Sequence, residues 1–236
     1  MFKISNFVFV VAFALVASIT SCTTEDPGPV QEVEKQFSFL DFDRLEMGSG
    51  FNIRVTQGNN YSITVRGDRR NINDLDARMF GSTLIIDYDD NGNRTHKTYV
   101  TITMPELRSV NFSGGTSSEI TGFESDQRLD FILSGGSVSQ VDAGYREAKV
   151  VLSGGSRLRM YGLGDELDVE ISGASELTAF DYPVRIAEVN VSGGSKGKVT
   201  VTDQLTANAA GGSSLLYRGN PSVSSEVSGG SAVRKD

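Results

Sequence analysis

The side chains that could run hydrolytic or metal chemistry are sparse in this chain. His96 is its only histidine, so a Ser-His-Asp triad or a histidine-based metal site would have to be built on that one residue. No nucleophile elbow, P-loop or dinucleotide fingerprint is present, and the Gly-rich stretches lack the lysine or the strand-to-helix setting those need. The run Asp87-Tyr88-Asp89-Asp90-Asn91-Gly92-Asn93 fits the opening of an EF-hand loop, which makes Asp87, Asp89 and Asn91 a weak calcium candidate. The twelfth position holds Thr98 in place of the bidentate glutamate, and strands flank the run. A solvated hairpin loop turning at Asn91-Gly92 is the stronger expectation.

Two further groupings are worth placing. Asp168 and Glu170, with Glu188 nearby, could supply the paired carboxylates of a glycoside or uronate enzyme. With no histidine or fixed arginine beside them, a solvated acidic face is the expected role. Arg157, Arg159, Lys196 and Lys198 recur on the opposite side of the repeats described below, as does Arg234. They could meet repeating charges on an extended anionic polymer. Glu176, midway between Arg157 and Lys196, could instead complete an opposite-charge ladder that fixes register. No catalytic residue and no cofactor is expected, and the four basic residues are the ligand-binding candidates.

The elements that carry these residues are set by a repeat. Ser113-Gly114-Gly115, Ser134-Gly135-Gly136, Ser153-Gly154-Gly155, Ser172-Gly173-Ala174, Ser192-Gly193-Gly194, Ala210-Gly211-Gly212 and Ser228-Gly229-Gly230 start 18 to 21 residues apart. Such a period marks a stack of supersecondary units. The residues one, three and five before each triplet are mostly apolar, as in Leu129, Phe131 and Leu133 or Leu167, Val169 and Ile171, so one side of a strand is buried. A second short strand follows each triplet, carrying pairs such as Leu158 and Met160. About 19 residues per unit suit one coil of a right-handed parallel β-helix whose sharp corner favours glycine. The hydroxyls of Ser113, Ser134, Ser153, Ser172, Ser192 and Ser228 would stack. So would those of Thr116, Ser137, Ser156, Ser175, Ser195, Ser213 and Ser231. An antiparallel sandwich or barrel with one hairpin per repeat is the alternative.

The N-terminus reads as an address. Phe7 to Ile19 is a 13-residue apolar run, too short to span a bilayer. It ends in Ile19-Thr20-Ser21-Cys22, which resembles the bacterial lipobox, with Cys22 as the lipidated first residue of the mature protein. Thr23 in place of aspartate goes, in such lipoproteins, with the outer membrane. Cys22 is the only cysteine, so no disulfide can form within the chain. Residues 1–21 are therefore the expected signal peptide and 22–36 an acidic flexible tether. Loss of residues 1–21 removes one lysine and no acid, leaving 21 basic and 30 acidic residues and a net charge of −9. That balance speaks against nucleic acid as a partner.

Between tether and repeats, strands are expected at 37–42, 51–56, 61–66, 84–88 and 99–104, with a helical turn or two around 71–78. The stretch Gly50-Phe51-Asn52-Ile53-Arg54-Val55-Thr56-Gln57-Gly58, followed by Ile63-Thr64-Val65-Arg66-Gly67-Asp68 and then by the Ser-Gly-Gly lines, resembles the family called putative auto-transporter adhesin, head GIN domain. The likeness implies a β-helical protein of the bacterial envelope with no catalytic residues to carry over. The expectation is one all-β domain over 37–236: opening strands and cap in 37–110, repeat coils in 111–236. Its role would be an envelope-anchored, non-enzymatic binding module for glycan or for extracellular or cell-wall polymer. The alternatives are a structural or assembly lipoprotein that binds another envelope protein, and a polysaccharide-active β-helix enzyme.

Overall fold

The repeats stack in parallel, as the period demands. The computed structural model describes residues 28–90, 92 and 94–236. The expected signal peptide, Cys22, the first part of the tether and Asn91 lie outside the described residues. The strands before the repeats are β1 (Glu32–Phe37), β2 (Arg44–Met47), β3 (Asn52–Gln57), β4 (Ser62–Asp68), β5 (Leu75–Phe80), β6 (Thr83–Tyr88), β7 (Tyr99–Met104) and β8 (Ser109–Phe112), with helix α1 (Arg69–Asn73) after β4. Then come the long strands β9 (Ser117–Leu133), β10 (Val138–Leu152), β11 (Arg157–Ile171), β12 (Glu176–Val191) and β13 (Lys196–Ala209). The chain closes with β14 (Ser214–Arg218), β15 (Ser222–Val227) and β16 (Ala232–Lys235). This is a β-solenoid, and the antiparallel sandwich or barrel is set aside by parallel pairing throughout the repeats.

Each long strand runs from one glycine corner to the next, bending on the way, so the return expected to be loose is itself paired. Register keeps like on like. Phe131, Val150, Val169, Val189 and Ala207 form one buried column, and Leu133, Leu152, Ile171, Val191 and Ala209 another. Tyr145 and Tyr182 fill the bend: Tyr182 donates to the Tyr145 carbonyl at 3.2 Å, and Tyr145 to the Leu107 carbonyl at 2.7 Å. Burial pushes the Tyr182 phenol up to about 12.

At the corners the two glycines do different jobs. Gly154 has φ +64, and a Cβ there would sit 3.0 Å from the backbone nitrogen of Gly135 in the preceding coil; at Gly173 the same approach is 2.9 Å. The next residue also has positive φ, but a Cβ at Gly155 would meet nothing within 4 Å. That is where Ala174 stands, at φ +62. The second hydroxyl ladder forms. Thr116, Ser137, Ser156 and Ser213 donate to the carbonyl three residues back at 2.6 to 2.9 Å. The Ser175 hydroxyl accepts from the Ser156 N–H, and that of Ser195 from the Ser175 N–H, each at 3.2 Å. These contacts satisfy corner groups that the sheets leave over. The first-position serines lie less deep, and their hydroxyls form no bonds to one another.

Before the repeats, chain order and spatial order part. One sheet face reads β1-β4-β7-β3-β9-β10-β11-β12-β13-β14-β16, so β3 lies between β7 and β9. On the other face β2 lies between β6 and β8. The β6–β7 coil is thus added outside the coil that precedes it in sequence. Antiparallel β4 and β1 close one face and antiparallel β5 the other, which covers edges that a solenoid end would expose.

Three local expectations are corrected here. The tether does not reach residue 36, because Glu32–Phe37 pairs with β4 and packs Val33 and Phe37 on the core, its acidic residues pointing outward. The strand expected at 37–42 ends at its first residue, as the last of β1, and 38–42 is a bend between β1 and β2, with Asp41 at φ +59. The helix expected at 71–78 stops at Asn73, since Leu75, Ala77 and Met79 alternate onto the core as strand β5. Asp68 caps α1, accepting from the Arg70 N–H at 3.0 Å.

Candidate binding groove on the second-strand face

The face made by the strand segments that follow each corner carries a groove of about 850 Å³ that runs across the strands from β1 to β12. Alternation puts every second residue of these segments outside. Parallel register then lines the outward residues into two rows. One runs Tyr99, Asn52, Ser117, Val138, Arg157, Glu176 and Lys196, the other Thr101, Arg54, Glu119, Gln140, Arg159, Thr178 and Lys198. Arg66 on β4 and Glu34 on β1 continue the lining at the N-terminal end.

Most charges in the groove are matched. Arg54 meets Glu119 at 3.0 Å, and Arg66 meets Glu32 at 2.6 Å while its guanidinium lies 5.3 Å from the centre of the Tyr99 ring. Glu176 is taken by Lys198 at 3.6 Å and pairs with neither Arg157 nor Lys196, so the ladder expected from those two does not form. Arg157 and Arg159, both exposed, have no ion-pair partner among the described residues. Tyr99 and Val138 supply exposed apolar surface on the floor, at 43% and 42% exposure.

The structure divides the four basic candidates. Arg157 and Arg159 line the groove, whereas Lys196 and Lys198, two strands further on, do not. Sequence reasoning missed Tyr99, Val138, Arg54 and Arg66, although Arg54 and Arg66 stood in the stretches that carried the family resemblance. What was missing is the placement of β3 beside β9 and of β7 on the outer side of β3. Asp168 and Glu170 lie on the other face, bridged by the Lys149 ammonium at 3.3 and 3.1 Å. Glu170 and then Asp168 raise that lysine above its ordinary value. The two carboxylates are thus tied to a cation and face solvent, and the hollow that Glu170 lines with Ser172, Asn190 and Asn208 holds no second acidic residue.

In the calcium-candidate loop, Asp87 accepts from the Ser49 hydroxyl at 2.8 Å and from the Tyr88 N–H at 2.9 Å. Arg94 supplies the local positive charge, bridging Asp74 and Asp90 with its guanidinium 4.2 Å from the Tyr88 ring centre. Among the described residues no cluster of three or more His, Cys, Asp or Glu side chains is arranged to hold a metal. His96 lies at the N-terminal end with its Nε2 3.3 Å from the Gly28 carbonyl, paired with neither a hydroxyl nor a carboxylate.

The family model described as putative auto-transporter adhesin, head GIN domain, matches residues 41–221. No curated protein matches. A solved structure of a putative adhesin from Bacteroides fragilis superposes with a TM-score of 0.76 at 18% identity, covering 87% of this chain and 96% of that one. A putative adhesin from Parabacteroides merdae gives 0.68 at 17% identity with the same coverage. A putative lipid binding protein from Parabacteroides distasonis gives 0.68 at 20%, again covering 87% and 96%. At these identities the likeness is one of fold.

Proposed function

This chain belongs to the putative auto-transporter adhesin, head GIN domain family, and from there we propose that it is an adhesin-like, non-enzymatic binding module of the cell envelope. Its ligand is a glycan or another extracellular or cell-wall polymer. The observation that carries this reading is the groove itself, a long concavity crossing the stacked strands in which Arg157 and Arg159 stand uncommitted. A solenoid suits such a ligand because coils about 4.8 Å apart repeat their outward groups along one axis. Retention of the purified protein on a panel of immobilised polysaccharides and peptidoglycan tests it; failure to bind any of them refutes it.

The proposal includes attachment through lipid on Cys22, supported by the Ile19-Thr20-Ser21-Cys22 junction and the apolar run before it. Replacing Cys22 with serine should move the protein from the membrane to the soluble fraction, and an intact mass showing an unmodified Cys22 in the wild type would sink this part. A second reading, binding to another envelope protein, draws on the C-terminal end of the solenoid. There β15 is paired on one side only, and its inward Val223 and Val227 are 40% and 48% exposed. Photo-crosslinking from position 227 in cells should give a discrete protein adduct under that reading and none under the first.

A further inference from the structure

We propose that the groove takes an acidic oligosaccharide lengthwise, its acid group on Arg157 and Arg159 and a neutral sugar face on Tyr99. The ligand therefore runs toward the N-terminal end, away from Lys196 and Lys198. This rests on the reading of the module as a polymer binder and specifies where the polymer lies and what it is made of.

Arg157 and Arg159 are two residues apart on β11, so their outward side chains start about 7 Å from each other. Two guanidinium forks at that spacing suit one carboxylate or sulfate, which accepts charge-assisted hydrogen bonds from both. The other two arginines in the groove are committed, Arg54 to Glu119 and Arg66 to Glu32. Beyond β11 the next outward residue is Glu176, held by Lys198. A chain with further acid groups in that direction would pass a carboxylate first.

Toward the N-terminus the lining changes character. Val138, Gln140, Ser117 and Asn52 offer apolar contact, amides and a hydroxyl, and no free positive charge, before Tyr99 is reached. From β11 to β7 is four strand spacings, about 19 Å. Amides and hydroxyls match sugar hydroxyls, and an aromatic ring face packs on a sugar's C–H face. Glu119, the one acidic residue along this path, is already neutralised by Arg54, so nothing between Arg159 and Tyr99 attracts a second carboxylate. The lining therefore selects acid residues alternating with neutral ones over a uniformly charged chain.

The test is calorimetric titration of the full chain, purified in detergent, with size-defined hyaluronan oligosaccharides, which alternate uronate and neutral residues, and with oligogalacturonates of matched length. Affinity for the hyaluronan series should rise with length until about 19 Å is spanned and then level, exceeding that for oligogalacturonate. Arg157→Gln with Arg159→Gln should weaken binding about tenfold or more, as expected for lost charge-assisted bonds. Tyr99→Ala should weaken the long oligomers but not the shortest, and Lys196→Gln, which leaves the Lys198–Glu176 pair intact, should leave both unchanged. Each substituted residue points outward, so circular dichroism of each variant separates lost binding from lost fold. Equal loss in the lysine variant, no loss in the arginine variant, or preference for oligogalacturonate overturns the inference. So does absence of binding by either series. Capture on other polymers would in that case leave the adhesin reading standing, and capture on none would remove both.

Discussion

The two glycines of a corner should respond very differently to the same methyl group. An L-residue held in the left-handed region costs about 1–2 kcal/mol. Replacing glycine also restricts the unfolded chain, which returns about 0.4–1 kcal/mol. At Gly155 these are the only terms, because a Cβ there meets nothing within 4 Å and the bond from its N–H to the Gly173 carbonyl, at 2.9 Å, is untouched. Gly155→Ala should therefore cost about 1 kcal/mol or less, as the presence of Ala174 at the equivalent position suggests. At Gly154 the same strain is joined by a Cβ 3.0 Å from the Gly135 nitrogen. Backbone cannot rotate away as a side chain can, so the two stacked corners must shift apart by a few tenths of an ångström, adding about 1–3 kcal/mol. The total for Gly154→Ala is about 1–4 kcal/mol. Guanidinium unfolding followed by circular dichroism measures both, with midpoints compared at a common slope, since a stacked array need not unfold in one step. Equal costs at the two positions, or a larger one at Gly155, would refute the argument that close stacking of corner backbones sets the first glycine.

The hydroxyl ladder makes a second prediction: Ser175→Ala deprives the buried Ser156 N–H of its acceptor and should cost about 1–3 kcal/mol, whereas Ser172→Ala, at an exposed corner position, should cost little. The third concerns Asp68, which accepts from the Gln31 and Arg70 N–H groups and from the Arg70 guanidinium. Hydrogen bonds from that guanidinium, ahead of the opposing cost of burial, hold its carboxyl well below the ordinary value of 3.8. A depressed folded pKa contributes stability that is fully present above the unfolded value and is lost as pH falls below about 4. Asp68→Asn should destabilise by about 1–3 kcal/mol at neutral pH, with the gap to wild type narrowing in thermal melts at pH 4 and below; a constant gap across that range would count against the ion pair.

What the sequence determined by itself is what depends on near neighbours. Alternation at Leu167, Val169 and Ile171 declares which side of a strand is buried, and the recurrence of Ser-Gly-Gly every 18 to 21 residues declares that each coil meets a copy of itself. Like residues then stack without any further information, so the parallel solenoid, its core columns and the buried Ser156–Ser175–Ser195 ladder were legible in advance. The half of the groove formed by Arg157 and Arg159 was legible for the same reason. The other half was decided by a contact that no local pattern encodes, the placing of β7 on the outer side of β3. That step carries Tyr99 and Arg66, which precede the repeats, onto the same face as Arg157. It also gave the charged segment Glu32–Phe37 an unpaired edge to complete, so residues with the composition of a tether became a strand. Burial of backbone hydrogen bonds at a sheet edge outweighs the weak preference of such a segment for solvent, and only the tertiary structure supplies the edge.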